Sequence, residues 1–262
     1  MLLSEVRNEI KGIKYFITSI EKGVEKKYKR SQMVIDNNIN YRNEEMILKE
    51  NKLVQNELDK LYDDIKITLF STLNVIKDKD DLVYKLQSLK DADKYIDYLY
   101  VGYKDKSFYI TDNEPIPSSY DPRTRDWYKY WEGKTDWLGN EVYVTDMYLD
   151  ATNKTKMITM SIPIIKNKKL EGVIGADVVL DSLAKDLEGI KIFSKGFVVL
   201  TDKKGVILSS RDKNLVGKDI NKTNLLKSKG YIVKKVENKN LGFTIYSFIF
   251  ENDLVAFNKK NK

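Results

Sequence analysis

Between residues 95 and 250 the chain consists of short segments in which polar and apolar side chains alternate, and this alternation constrains the fold more than any other feature. Tyrosine, isoleucine and valine, which favour strands, are frequent in these segments. The clearest segment, YIDYLYVGYKDKSFYIT at 95–111, has Lys104-Asp105-Lys106 between its two halves, as in a hairpin. Because successive strands with short turns pair with their neighbours, the pattern predicts a mainly antiparallel sheet.

Further segments of the same kind follow at 140–149, 156–165 and 171–180. A helix is predicted over 181–190, with Asp181 as its N-cap. A smaller version of the pattern comes next, with hairpins predicted at 196–210 and 230–250 and a last helix after residue 250. The hairpins VGYKDKSFYIT and VLTDKKGVILS are alike in design, which suggests that a sheet module has been duplicated.

The N-terminal part has helical spacing instead. Its first apolar residues follow an almost heptad seam at Leu3, Val6, Ile10, Ile13, Ile17, Ile20, Val24 and Tyr28. This seam fits either a helix that packs on its own domain or one that also pairs with a second copy of the chain. The polar, asparagine-rich residues 31–45 predict a break, and a short helix is predicted at 79–90. Between them, a second helix is predicted from the apolar residues Leu48, Val54, Leu58, Leu61, Ile65 and Leu69.

Composition excludes several functions. The 262 residues include no cysteine and no histidine, which removes disulfides, thiolate metal sites and every catalytic triad that uses histidine. The net charge of +7 comes mostly from scattered lysines, which favours a solvated surface over a nucleic-acid-binding stripe. No apolar run reaches about 18 residues, and residues 1–20 are charged throughout, so neither a membrane span nor a signal peptide is expected.

One stretch, SSYDPRTRDWYKYW at 118–131, concentrates arginines and aromatic residues and should have something stacked on it or hydrogen-bonded to it. Together with three other motifs, it resembles the double Cache sensor domains of bacterial chemoreceptors and sensor kinases. In chain order, the matching motifs are YVGYKDKSFYI, YDPRTRDWY, TDMYLDATNKTKMITMSIPI and GVIGADVVLDSL. The resemblance covers approximately residues 45–250.

The resemblance implies an α+β fold in which a long N-terminal helix is followed by two PAS-like modules with antiparallel sheets. The expected divisions are a helical segment at 1–60, a membrane-distal ligand-binding module at 61–190 and a smaller membrane-proximal module at 191–255. Such domains normally lie between two transmembrane helices. The chain is therefore expected to be an excised ectodomain from the extracellular face of a bacterial membrane, anchored there in the full-length protein.

Within this family, a subset binds amino acids through a recurring set of side chains. Matching the motifs places that set on Tyr100, Arg125, Trp127, Tyr128, Tyr148, Asp150 and Asp177. The resemblance thus implies the sensor domain of a methyl-accepting chemotaxis protein that binds an amino acid or a close derivative, with a homodimer through the N-terminal helix as a possible assembly. The sequence departs from the family pattern in one place: the stretch between Tyr128 and Tyr148, which contains Trp131 and Trp137, is a few residues longer than usual. The extra length is expected to affect the lid over the pocket and therefore the side-chain specificity.

The chemistry of these side chains suits a zwitterion, which needs both opposite charges close together when it leaves water. Arg125 offers a planar fork for a carboxylate, and Asp177 and Asp150 can accept from an ammonium group. Tyr100 and Tyr148 can donate hydroxyls, or face a cation with their rings. Trp127 and Tyr128 can wall the pocket.

Structural explanations stay open for the same residues. Asp177 lies in an otherwise apolar strand, where alternation would turn it to solvent, or it could cap the following helix. Arg125 could pair with Asp121 or Asp126, although Arg123 is the better structural partner. Asp150 could be an Asx-turn residue.

Several functions compete with amino-acid sensing by a chemoreceptor. The domain could belong to a histidine kinase or cyclase and bind an amine or other small metabolite, or it could be a ligand-free interaction module. A hydrolase using Asp150 and Asp177 is disfavoured, because nothing supplies a nucleophile or a metal cluster. No catalytic residue, metal site, cofactor or nucleic-acid partner is expected.

Overall fold

A computed structural model describes residues 2–77, 80–113, 116–134, 136–150, 155–188, 190 and 192–260. The chain divides into two compact units. One comprises residues 1–49 and 256–262, and the other comprises Glu50–Val255. No helix in the described ranges is apolar over a length that would cross a bilayer.

The first helix, α1, runs from Leu2 to Val75 without interruption. The predicted break at residues 31–45 is therefore wrong. This stretch contains neither glycine nor proline, the two residues that are clearly unfavourable in a helix, and asparagine disfavours the helix by well under about 1 kcal/mol per residue. Polarity alone does not end a helix.

In the first unit, the described members of the apolar seam face solvent. Ile17 and Ile20 are each 50% exposed, and Val24 and Tyr28 are more so. A salt bridge of 2.7 Å between Glu25 and Lys29 supports the helix at i,i+4 spacing. The side chains of the other seam residues, Leu3, Val6, Ile10 and Ile13, lie outside the described residues.

In the second unit, one face of α1 is deeply buried. The predicted residues Val54, Leu58, Leu61, Ile65 and Leu69 are completely shielded from solvent. Leu48 is 66% exposed, so its assignment to this face is wrong. The buried stripe instead includes Asn51, which hydrogen-bonds the buried Ser247. Because Asn51 is polar, the sequence pattern alone did not identify it as a member of the buried stripe.

The first sheet is antiparallel throughout, with the strand order β2-β1-β6-β5-β3, and β4 also pairs with β5. Two of its strands, β5 and β6, form a long central hairpin. The strands are β1 (Ile96–Tyr103), β2 (Phe108–Ile110), β3 (Tyr143–Val144), β4 (Tyr148–Leu149), β5 (Lys156–Lys166) and β6 (Lys169–Val179).

The second sheet is also antiparallel, with the order β8-β7-β10-β9. The strands are β7 (Phe197–Thr201), β8 (Ile207–Ser209), β9 (Tyr231–Asn238) and β10 (Phe243–Phe250). Both predicted hairpins, at 196–210 and 230–250, are therefore confirmed. The α+β fold, with a long helix and two antiparallel sheets, is the predicted one.

Four shorter helices complete the fold: α2 (Leu82–Asp91), α3 (Asp126–Lys129), α4 (Leu180–Glu188) and α5 (Glu251–Lys260). Helix α2 begins three residues later than predicted, and residues 78–79 lie outside the described ranges. Asp181 lies within the first turn of α4 and is not its N-cap, because the helix already begins at Leu180.

The two faces of the first sheet are buried in different ways. Leu99, Met160 and Ala176, at alternate positions of β1, β5 and β6, pack into the main core with α1. That core continues into the second sheet through Leu200 and Ile245. The opposite face of the first sheet is covered by an aromatic cluster that includes Tyr100, Trp127, Tyr128, Trp131 and Val173. The candidate site lies on this covered face.

Candidate functional site

Asp177 is the central charged residue of the covered face. It lies on β6 opposite Tyr98 of β1 and Thr159 of β5, and it is only 9% exposed. Tyr100 donates a hydrogen bond of 2.6 Å to Asp177 Oδ1. Asp177 thus neither faces solvent nor caps a helix: alternation turns it away from the α1 core, and the aromatic cover buries it.

Thr159 provides the second hydrogen bond to Asp177. Its hydroxyl donates to the same Oδ1 at 2.7 Å, and Tyr148 lies 3.0 Å from Thr159 Oγ1. A threonine hydroxyl has one proton, and because Asp177 receives it, the Thr159 oxygen can only accept from Tyr148, whose own single proton is shared between Thr159 and Asp177. Asp177 Oδ2 receives neither the Tyr100 nor the Thr159 hydrogen bond.

The ionisation of Asp177 reflects burial opposed by these donors. Burial raises the pKa of Asp177 from 3.8 to about 6. The hydroxyls of Tyr100, Thr159 and Tyr148 stabilise the charged form and limit the rise in this pKa, while the negative charge of Asp150 adds to it. Asp177 is therefore a carboxylate at neutral pH, and a nearby cation would stabilise its charge.

Arg125 is the candidate cation for the opposite end of a ligand. It directly precedes α3 in an extended conformation, and its side chain is exposed. Within the described part of the chain no carboxylate pairs with its guanidinium. The neighbouring Arg123 instead binds Asp121 with two hydrogen bonds, of 2.9 and 2.7 Å, so the structural role predicted for Arg123 is confirmed.

Two phenols lie within the influence of both Arg125 and Asp177. Burial raises the pKa of Tyr120 to about 12, and the charge of Arg125 opposes this rise while that of Asp177 adds to it. Burial also raises the pKa of Tyr148, with Asp177 and Arg125 again acting in opposite directions. The charges of Arg125 and Asp177 therefore both influence the pKa values of these two hydroxyls.

The other predicted site residues have distinct surroundings. Trp127 is buried, with its ring centroid 5.0 Å from that of Tyr100. Burial raises the pKa of Tyr128 to about 12, and the strongest charge acting on its phenol is that of Arg123. The hydroxyl of Tyr128 is thus associated with the Asp121–Arg123 pair.

Asp150 follows β4, and its backbone N–H donates to Thr155 O at 2.8 Å. This contact continues the β4–β5 pairing by one residue, while the charge of Asp150 acts on Asp177. The structure therefore brings Tyr100, Tyr148 and Asp177 into one hydrogen-bonded network through Thr159, with Arg125, Asp150 and Trp127 around it.

Part of the stretch after Tyr128 is packed into the protein. Trp131 is fully buried and donates to Ser161 Oγ at 3.0 Å, and Ser161 in turn donates to Trp127 O at 3.1 Å. Trp137 stacks on Phe70 of α1, with ring centroids 5.8 Å apart. The stretch is therefore attached to β5 through Ser161, which also hydrogen-bonds the Trp127 carbonyl, and to α1 through Trp137.

The segment between β3 and β4 contacts both sheets. Thr145 is hydrogen-bonded twice to the backbone of Thr159, at 3.0 and 2.9 Å. The next residue, Asp146, forms an ion pair of 2.5 Å with Lys204, in the turn between β7 and β8. A cleft of about 260 Å³ lies beside this contact, lined from one sheet by Tyr143–Asp146 and from the other by Asp202, Lys203 and residues 239–243.

Sequence reasoning missed Thr159 and Tyr120. Thr159 was detectable as a polar residue in the buried run KMITMSIPII, at the position where the hairpin register faces Asp177. Tyr120 belongs to the quoted stretch at 118–131, but nothing in the sequence separates it from the other aromatic residues there.

The candidate site thus combines a covered sheet face, an exposed arginine and a buried carboxylate, and no metal cluster occurs among the described residues. Residues 71–185 match the family described as methyl-accepting chemotaxis protein-like, first PDC sensor domain. That segment is similar to the sensor domains of chemoreceptors, and the chain has the predicted α+β fold with a long helix and two antiparallel sheets.

Curated relatives are chemotaxis receptors. The chain is 27% identical over 166 residues to the methyl-accepting chemotaxis protein McpC of Bacillus subtilis, covering 63% of this chain and 24% of McpC. It is 34% identical over 105 residues to PscA of Pseudomonas syringae, covering 40% of this chain and 16% of PscA. The chain thus spans about a quarter or less of the length of these relatives.

Solved structures of similar fold are ligand-binding domains. That of the Pseudomonas aeruginosa chemoreceptor PctB, in complex with L-Gln, aligns with a TM-score of 0.64 at 17% identity, covering 80% of this chain and 91% of PctB's. That of Pseudomonas fluorescens CtaA, in complex with L-valine, aligns with a TM-score of 0.63 at 20% identity, covering 77% and 94%.

Proposed function

We propose that this chain is the ligand-binding domain of a methyl-accepting chemotaxis receptor and that its site binds an amino acid. Arg125 binds the ligand carboxylate and Asp177 accepts from its ammonium group. One observation carries the proposal: Trp127, two residues after Arg125, packs on Tyr100, which hydrogen-bonds Asp177, and the charges of Arg125 and Asp177 both act on Tyr120 and Tyr148. A zwitterion bound there would meet a complementary charge at each end.

The surrounding residues have supporting roles in this proposal. Tyr100 and Tyr148 orient Asp177, and Asp150 provides a second acceptor near the ammonium group. Trp127, Tyr128 and Tyr120 wall the site. The amino acids named in the structures of PctB and CtaA and the receptor family of residues 71–185 support the same ligand class.

The domain division and location follow from the same proposal. Residues 1–60 form the helical segment, 61–190 the membrane-distal ligand-binding module and 191–255 the membrane-proximal module. The domain lies outside the cytoplasmic membrane, and flanking helices carry the signal. The exposed apolar residues Ile17, Ile20, Val24 and Tyr28 support a homodimer through α1.

Calorimetry tests the ligand class. The chain should bind one or more of the common amino acids. For an amino acid that binds, such as L-valine, isobutylamine lacks the carboxylate and isovalerate lacks the ammonium group. Each should bind at least about tenfold more weakly, because each leaves one protein charge unpaired. Equal binding of the amine would reassign the site to amines, and no binding by any amino acid would contradict the proposal.

Substitution of the two neighbouring arginines separates binding from folding. Arg125→Ala should abolish amino-acid binding and leave the melting temperature almost unchanged, because its side chain is exposed and no described carboxylate pairs with it. Arg123→Ala is the matched control and should retain binding while losing the contact to Asp121. Retained affinity in Arg125→Ala would remove the carboxylate clamp from the proposal.

A further inference from the structure

We propose that Thr159 is a positioning residue of this site: its hydroxyl, held by Tyr148, fixes the Asp177 carboxylate through Oδ1 and so leaves Oδ2 to the ligand ammonium group. The identity of the ligand rests on the function proposed above. The hydrogen-bonded arrangement of Thr159, Tyr148 and Asp177 is independent of that proposed function.

The geometry gives Thr159 a directional role. It is fully buried on β5, directly opposite Asp177 on β6. Its oxygen lies 2.7 Å from Asp177 Oδ1 and 3.0 Å from the Tyr148 hydroxyl. Because Thr159 accepts from Tyr148 and donates to Asp177, it links β4 to the carboxylate. With Tyr100 donating to the same oxygen, Oδ1 is occupied from two sides.

The fold does not itself require a hydroxyl at position 159. Valine has the same shape and an equal preference for strands, and Met157, the preceding β5 residue on the same face, is apolar and buried. Removing the hydroxyl would take away one of the two donors to Oδ1, together with the oxygen that lies 3.0 Å from the Tyr148 hydroxyl and 3.3 Å from the Tyr100 hydroxyl. Among the charged groups, Asp150 opposes the ionisation of Asp177, and Arg125 acts on the neighbouring phenol of Tyr148.

The test follows the ionisation of Asp177 in the ligand-free chain. Aspartate carboxyl carbons are labelled with ¹³C, and the Asp177 signal, assigned by its loss in Asp177→Asn, is titrated by NMR. The variants are Thr159→Val, Thr159→Ser and, as matched control, Ser161→Ala. Ser161 is an equally buried β5 hydroxyl whose hydrogen bonds go to Trp131 and Trp127. Thr159→Ala serves as the hydroxyl-free variant if Thr159→Val does not fold.

In Thr159→Val, the titration midpoint of Asp177 should rise by about one pH unit, as expected for losing one hydrogen bond to a charged group. Thr159→Ser should restore the wild-type midpoint, and Ser161→Ala should leave it unchanged. An unchanged midpoint in the hydroxyl-free variant would overturn the proposal. So would an equal rise in Ser161→Ala, which would indicate a general loosening of the sheet.

A binding measurement extends the test. Across the common amino acids, every one that binds the wild-type chain should bind Thr159→Val about tenfold more weakly at pH 7, with the loss increasing towards pH 6. If no amino acid binds the wild-type chain, the proposed function fails, but the titration still decides the role of Thr159. The two failures are therefore distinguishable.

Discussion

At the scale of single residues, the site depends on a carboxylate that is kept inside the protein. Asp177 is nearly buried, and the ligand-free protein contains two hydroxyl donors to one of its oxygens but a like charge nearby at Asp150. Burying a charge without an opposite partner is unfavourable for folding. The residue proposed to recognise the ammonium group is therefore also a weak point in the stability of the empty domain.

This trade-off predicts a stabilising substitution. The pKa of Asp177 is raised from 3.8 to about 6, so the folded state binds the proton more tightly than the unfolded state. The free energy of unfolding should therefore fall as the pH rises from about 4 to about 6 and stay low above it. Asp177→Asn should remove this loss and stabilise the ligand-free chain at pH 7.5 by on the order of 2 kcal/mol, while abolishing amino-acid binding.

Urea denaturation at pH 4.5 and pH 7.5 measures the effect. Asp121→Asn is the control of opposite sign, because the guanidinium of Arg123 lowers the pKa of Asp121 to about 2. That carboxylate contributes its stability above about pH 4, so Asp121→Asn should be less stable than wild type at both pH values. An Asp177→Asn chain less stable than wild type at pH 7.5 would contradict the assignment of Asp177 as a strained charge.

At the scale of the elements, the site face of the first sheet depends on a glycine in β6. Gly175 lies opposite Tyr100 in the β1–β6 register, and the Tyr100 ring crosses over it. A Cβ atom at position 175 would lie 2.3 Å from the Tyr100 ring, far inside van der Waals contact. The close approach of ring to backbone lets the Tyr100 hydroxyl reach Asp177.

Gly175→Ala should therefore displace the Tyr100 ring and break its hydrogen bond to Asp177. We expect a loss of about 1–3 kcal/mol in the free energy of unfolding, as for other overpacked sites, together with weaker amino-acid binding. Gly23→Ala is the open-space control, since nothing lies within 4 Å of the added atom. Thermal melts and calorimetry of both variants test this, and an unaltered affinity in Gly175→Ala would remove Tyr100 from the binding network.

At the scale of the second unit, α1 and the two sheets are held together by one continuous apolar core with a few polar contacts. Asp59 on α1 accepts from Asn238 at 2.9 Å and from Asn240 at 3.3 Å, both at the β9–β10 turn. The sheets are also linked by the ion pair of Asp146 and Lys204, whose side chains are 41% and 64% exposed. Exposed ion pairs contribute little, whereas an unsatisfied buried amide is strongly unfavourable.

Asp59→Ala should therefore destabilise the chain by about 1–3 kcal/mol, because Asn238 is fully buried and would lose the acceptor for its side-chain amide. Lys204→Ala, which removes the exposed ion pair, should reduce stability by less than about 1 kcal/mol. Urea denaturation compares the two variants directly. A larger loss in Lys204→Ala than in Asp59→Ala would reverse the ranking of these contacts.

The sequence by itself determined the local periodicities and the chemistry available. Alternation located the hairpins, the motifs identified the sensor fold, and the absence of cysteine and histidine limited the possible functions. It misjudged residues 31–45 and the phase of α1 at Leu48, because polarity marks neither the end of a helix nor a buried asparagine.

Only the tertiary structure decided what covers each face. Alternation correctly turns Asp177 away from the α1 core, but whether that second face meets solvent or an aromatic cover depends on residues 50 positions away in the chain, including Trp127. In the same way, Thr159 became part of the site only through the strand register that places it against Asp177. Short-range patterns specify which side a residue faces, whereas long-range packing specifies what it meets there.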